Sequence, residues 1–150
     1  MKRNKELRLY NILFPIWALM LIPTAWLVVL PANFIIDSLV ILITMKMIGV
    51  LAKGEMYKKS IIKVWIFGFV SDIIGAAFLL LTMWVLELPN QGDDLYLTLP
   101  AMLIAAMFIF IFNYSISFKG YDRKIRFKMA LSLAILTAPY TFLIPLEWIY

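Results

Sequence analysis

The chain has 150 residues, 64% of them hydrophobic and only 15% charged, with a net charge of +5. That balance exceeds what a water-soluble domain of this length can bury, so it excludes an ordinary soluble fold. The chain has neither Cys nor His, which excludes disulfides, thiolate nucleophiles and the commonest general base and metal ligand.

The apolar residues come in runs as long as a membrane crossing. They predict an all-α fold over 1–150: one polytopic integral membrane helical bundle of about five transmembrane helices. The first run, YNILFPIWALMLIPTAWLVVL over 10–30, follows a basic N-terminus. It is too long for the apolar core of a cleaved signal peptide, and no small-x-small site follows it, so retention as a span is expected. Pro31 and Asn33 predict a tight turn, with immediate re-entry as a second span over 32–51.

The polar stretch KGEMYKKS over 53–60 reads as the end of that span, and 61–86 as the third. ELPNQGDDLYL breaks any helix and reads as a loop, and Pro100 opens a fourth span over 100–118. KGYDRKIRFK is a basic connection, and 129–146 is the fifth span, interrupted by Pro139 and Pro145.

Charge tests this threading, because short cytoplasmic loops carry the excess of Lys and Arg. Lys2, Arg3, Lys5 and Arg8 precede the first span. Lys53, Lys58, Lys59 and Lys63 follow the second, and Lys119, Arg123, Lys124, Arg126 and Lys128 follow the fourth. Glu87, Asp93, Asp94 and Glu147 gather on the other side. The expected orientation is N-terminus cytoplasmic and C-terminus external, in a multi-pass protein of the cell membrane. Basic strips beside spans match anionic lipid headgroups at the cytoplasmic face, each residue worth about 1 kcal/mol. They do not form the folded basic surface that nucleic acid requires.

The residues that stand out are polar ones inside the spans. Asp72 lies about 16 Å beyond Ile61 at 1.5 Å per residue, near mid-membrane. An Asp at a helix centre costs about 2.5 to 3.5 kcal/mol on insertion scales, so it is expected to face protein or water. Gly68, Asp72 and Gly75 fall within about 60° on a helical wheel, with Ala76 beside them, a small-residue stripe on which another helix packs closely.

On the second span Asn33, Asp37 and Thr44 fall within about 40°, with Asp37 in the outer half and therefore at a different depth from Asp72. Lys46, half a turn around from Asp37, either snorkels to the inner surface or pairs with Asp72. Ala106, Asn113 and Ser117 share a face of the fourth span, and Thr137, Pro139, Tyr140 and Thr141 come from the fifth. Together these are candidates for one polar interior.

Two functions fit these parts. The first is a small carrier or channel, working as a homo-oligomer, with an intramembrane pathway of Asp37, Asp72, Lys46 and Asn113 for a cation, a proton or a cationic substrate. The second is an accessory or assembly subunit that binds another membrane protein through the stripe of Gly68, Gly75 and Ala76 and has no substrate of its own. The short loops hold no room for a catalytic or nucleotide-binding domain. An intramembrane aspartyl enzyme fits poorly, since GFVSD lacks the Gly-x-Gly-Asp pattern of presenilin-like proteases. No enzyme activity, cofactor or metal site is expected.

Overall fold

The computed structural model describes residues 23–85 and 95–143. Helix α1 spans Trp26–Ile48, α2 Lys53–Val85, α3 Leu95–Phe112 and α4 Arg123–Leu136. A π-helical turn, Asn113–Ser117, extends α3, and a 3-10 turn, Tyr140–Leu143, follows α4. No strand occurs among the described residues.

Three of these helices are long and apolar enough to cross a membrane: Trp26–Ile48, Lys53–Val85 and Leu95–Ser117. Leu27, Leu39, Met47, Leu81 and Leu103 point outward and are exposed, while Asp37, Thr44, Asp72, Thr98 and Asn113 are buried. Apolar side chains outside and polar ones within suit a hydrocarbon solvent, in which backbone groups must also be satisfied inside the helix.

The boundaries differ from the sequence reading in informative ways. Pro31 does not start a turn; α1 runs through it. A proline there removes one backbone donor and leaves a carbonyl one turn earlier without its helical partner. That loss falls close to the helix start, and unwinding in lipid would expose several more groups. The indole Nε1 of Trp65 also donates to the carbonyl of Leu30 at 2.8 Å, tying α2 to this part of α1. The remainder of the expected first span, 10–22, lies outside the described residues.

Helix α1 ends at Gly49, whose φ of 73° is left-handed and whose N–H donates back to the carbonyl of Met45. That conformation suits glycine because it has no Cβ. Helix α2 then begins at Lys53, so KGEMYKKS is helix rather than connection. Lys59 and Glu55 pair at 2.5 Å across one turn, and Met56 and Ser60 are buried. Leu86 and the loop expected after it, to residue 94, lie outside the described residues.

Helix α3 starts at Leu95 and carries Pro100 inside it, where the sequence placed the helix start. Helix α4 starts at Arg123, six residues before the expected fifth span. The Asp122 side chain caps it by accepting from the Lys124 N–H at 3.1 Å. It stops at Leu136 before Pro139, and its 14 residues reach only about 21 Å at 1.5 Å per residue. Alone it falls short of the ~30 Å hydrocarbon layer. Residues 144–146 of the expected span lie outside the described residues.

Two apolar cores stack along the bundle. One, with Ile41, Met45, Met56, Val64, Ile109, Phe118, Met129 and Leu133, sits toward the turns at Gly49 and Gly120, here the basic end. The other, with Ala76, Leu79, Ala101, Met102 and Phe142, sits toward the opposite end. Polar residues lie between them.

Candidate functional site: two carboxyls between helices

Helices α1 and α2 form an antiparallel hairpin held together by ring and hydroxyl contacts. Trp26 meets Phe69 edge-on at 5.2 Å, Phe34 meets Trp65 at 5.8 Å, and the Ser38 and Tyr57 hydroxyls lie 2.9 Å apart. Deeper in the same interface Asp37 lies against Gly68 and Asn33 near Asp72. A Cβ placed on Gly68 would stand 3.4 Å from Asp37 Oδ2, so the missing side chain makes the space the carboxyl occupies.

Asp72, one turn along from Gly68, is close enough to Asp37 for the two carboxyls to interact electrostatically, and the Asn33 side chain is within hydrogen-bonding reach of it. Asp37 is 4% exposed and Asp72 5%, and Asp72 Oδ1 has no hydrogen-bond partner among the described residues. Among the described residues the only ion pair is Lys59–Glu55. Neither buried carboxyl has a cation beside it among the described residues.

The expectation that the two aspartates lie at different depths is therefore corrected. Because α1 begins at Trp26 and not after Pro31, Asp37 sits about 16 Å along its helix, and Asp72 about 20 Å from the far end of α2. Both are near the middle.

Lys46 does not pair with Asp72. It is exposed in the last turn of α1, about 14 Å from Asp37 along the axis, and reaches the basic end instead, as a long aliphatic stem permits.

The small-residue stripe divides between two neighbours. Gly68 and Asp72 face α1, while Gly75 is packed against α3 and the 3-10 turn. A Cβ on Gly75 would approach Phe142 Cε2 to 2.9 Å and both Ala101 O and Ala105 Cβ to 3.0 Å. Ala76 joins the same core. The chain's own helices fill the stripe, so the surface assigned to a partner is already covered.

Asn113 lies elsewhere. It is fully buried in the π-turn, its Nδ2 donating to the Ile109 carbonyl at 2.8 Å, about two turns from the level of Asp72 toward the basic end. Thr137 donates to the Leu133 carbonyl at 2.8 Å, Tyr140 to that of Ile135, and Tyr140 and Thr141 are exposed. These residues satisfy their own helix end and do not line the carboxyl site.

Sequence reasoning missed Trp65 and Arg126. Arg126 Nε and Nη2 donate to the Tyr114 carbonyl at 3.1 and 2.8 Å, and its guanidinium lies 4.4 Å from the Tyr114 ring centre. A π-turn leaves backbone groups mismatched, and here a cation takes one of them. Only the proximity of Tyr114 to a basic segment hinted at it.

No family model, curated protein or solved structure matches the chain.

Proposed function

We propose that this is a small integral membrane protein whose paired carboxyls, Asp37 and Asp72, take up and release a proton or small cation within the bilayer, as part of a carrier or channel. One observation carries the reading: two buried carboxyls from adjacent helices lie close enough to interact electrostatically, with no cation beside them among the described residues. Each charge at a helix centre costs about 2.5 to 3.5 kcal/mol on insertion scales, and two in proximity also repel. A purely structural contact is served better by an amide, which bonds without charge. A proton or cation between the carboxyls relieves the repulsion, and its exchange is the chemistry of a transport site.

The same reading keeps the basic end cytoplasmic and the protein in the cell membrane. Lys53, Lys58, Lys63, Lys119, Arg123, Lys124 and Lys128 are exposed there, and anionic headgroups are their natural counter-charge. A fifth crossing would be completed by residues after α4, and a homo-oligomer would supply the wall that a thin bundle lacks. The accessory reading is weaker, because the stripe it relied on is covered by α1, α3 and the 3-10 turn.

The test is flux in proteoliposomes under proton and alkali-cation gradients. The unaltered protein is expected to dissipate at least one of them, and Asp72→Asn and Asp37→Asn each to abolish that flux while remaining folded. Flux unaffected by both substitutions would remove the carboxyls from the mechanism. Absence of flux under every gradient would favour the accessory role.

A further inference from the structure

A second set of polar atoms lies apart from the carboxyl pair. Ser60 Oγ, Asn113 Oδ1 and Ser117 Oγ are buried without a hydrogen-bond partner among the described residues. Asn113 and Ser60 are 0% exposed and Ser117 is 3% exposed. A buried hydroxyl or amide left unpaired costs about 1 to 3 kcal/mol, and three in one small protein are not a packing accident that folding tolerates lightly.

Contacts along the helix interface bring the three together. Gly75 meets Ala101 and Ala105, and Phe67 meets Phe112 at 5.1 Å, which fixes the antiparallel register of α2 on α3. Continued toward the basic end, that register sets Ser60 within a turn of Ser117 and Val64 near Asn113. At about 100° per residue Ser60 points within about 20° of Phe67 and about 60° of Gly75, hence toward α3 and its π-turn. Asn113 and Ser117 are four apart in a turn closed by the Phe118 N–H donating to the Asn113 carbonyl at 3.0 Å. In a π-turn that spacing is nearly one full revolution, so both face the same way.

The donor set identifies the guest. The amide of Asn113 already donates to Ile109, which leaves its oxygen as an acceptor, and each serine hydroxyl both donates and accepts. The three do not bond to one another, and a bridging molecule small enough for a helix interface and able to donate and accept would satisfy them. Water meets this with two to four partners. An alkali cation would find only three neutral oxygens and no carboxylate, since Asp72 is about 18 Å from Ser60 along α2.

We propose that Ser60, Asn113 and Ser117 form an internal hydration site holding one or two ordered waters between α2 and the π-turn, on the basic side of the carboxyl pair. Ile41, Met45, Val64 and Ile109 belong to the apolar core at this end of the bundle. The hydration site stands on its orphaned oxygens and does not depend on transport by Asp37 and Asp72.

Radiolytic labelling of the intact protein in lipid nanodiscs tests it. After a pulse of H2 18O and X-ray irradiation, hydroxyl radical formed from the bound water should hydroxylate the fully buried Phe118, next to Ser117, with label that exchanges more slowly than bulk. An unlabelled Phe118 would overturn the proposal. Thermal unfolding gives an independent reading. Ser60→Ala and Ser117→Ala should each lower the midpoint, and the double variant should lose less than the sum, because both serines hold one guest. A dry interface predicts the reverse: each substitution removes an unpaired hydroxyl and raises the midpoint additively. A midpoint that rises in sodium relative to choline at equal ionic strength, and no longer does so in Asn113→Ala, would replace water with a cation and also overturn the proposal.

Discussion

At the scale of the residue, the account turns on what surrounds Asp72. An aspartate neutralised by a lysine would leave an unpaired buried charge when either partner is removed, a loss of about 3 to 5 kcal/mol. Asp72 faces Asp37 and Asn33 instead. Asp72→Asn is therefore expected to be tolerated, with a change within about 1 kcal/mol, since interhelical polar contacts in membranes average about 0.6 kcal/mol. It also removes a repulsion, so the effects of Asp37→Asn and Asp72→Asn on folded yield should not add: once one charge is gone, the second substitution gains nothing more. Strict additivity in a detergent unfolding series would mean that the carboxyls do not sense each other. Lys46→Met should leave both variants unchanged, because Lys46 is exposed at the helix end.

Elements explain why part of this was legible in the sequence. The polar stripe of Asn33, Asp37 and Thr44, and that of Gly68, Asp72 and Gly75, follow from helical periodicity alone, and the helices keep them. What periodicity does not give is axial register. Reading Pro31 as a turn moved the start of α1 by six residues, nearly two turns, and placed Asp37 too near the surface. Short-range polarity misled in a similar way at KGEMYKKS and DRKIRFK, where charged residues occupy the first turns of α2 and α4 rather than loops. An isolated helix turn with a Glu and a Lys four apart is favourable in water, and that spacing at Glu55 and Lys59 was the available signal. The unpaired Ser60 is invisible to the sequence for this reason: local polarity assigns it to a loop.

Packing at α2 gives a sharp element-scale test. Gly75→Leu forces atoms into Phe142, Ala101 and Ala105, and overpacking of this kind costs about 1 to 3 kcal/mol. Folded yield should fall, and Gly75→Ala should already weaken it, because even one methyl group meets a backbone oxygen that cannot swing aside. Wild-type behaviour of Gly75→Leu would place this face toward lipid. The hairpin register has its own test, on a background with no native Cys. Asp37→Cys with Gly68→Cys should cross-link through a short bis-thiol reagent, and Asp37→Cys with Gly75→Cys should do so much less.

For the whole molecule, the turns after α1 and after the π-turn should lie on one side of the membrane. Ala52→Cys and Lys119→Cys are expected to react with an impermeant thiol reagent only from the cytoplasmic side, and Thr24→Cys only from outside. Tyr150→Cys should react from outside, which α4 achieves only if the chain beyond Leu143 completes the crossing. Labelling of Tyr150→Cys from the cytoplasm alone would reduce the count of crossings and leave α4 as a helix that enters and turns back.

The central claim is that Asp37 and Asp72 form one exchangeable site in the interior, and infrared difference spectroscopy reads carboxyl groups directly. Spectra of the lipid-reconstituted protein, taken between two pH values or between sodium and choline, should contain a carboxyl band that changes in both Asp37→Asn and Asp72→Asn, because the two groups share what they bind. A difference spectrum identical in the unaltered protein and both variants would contradict the account. So would a band that vanishes with one substitution and is untouched by the other.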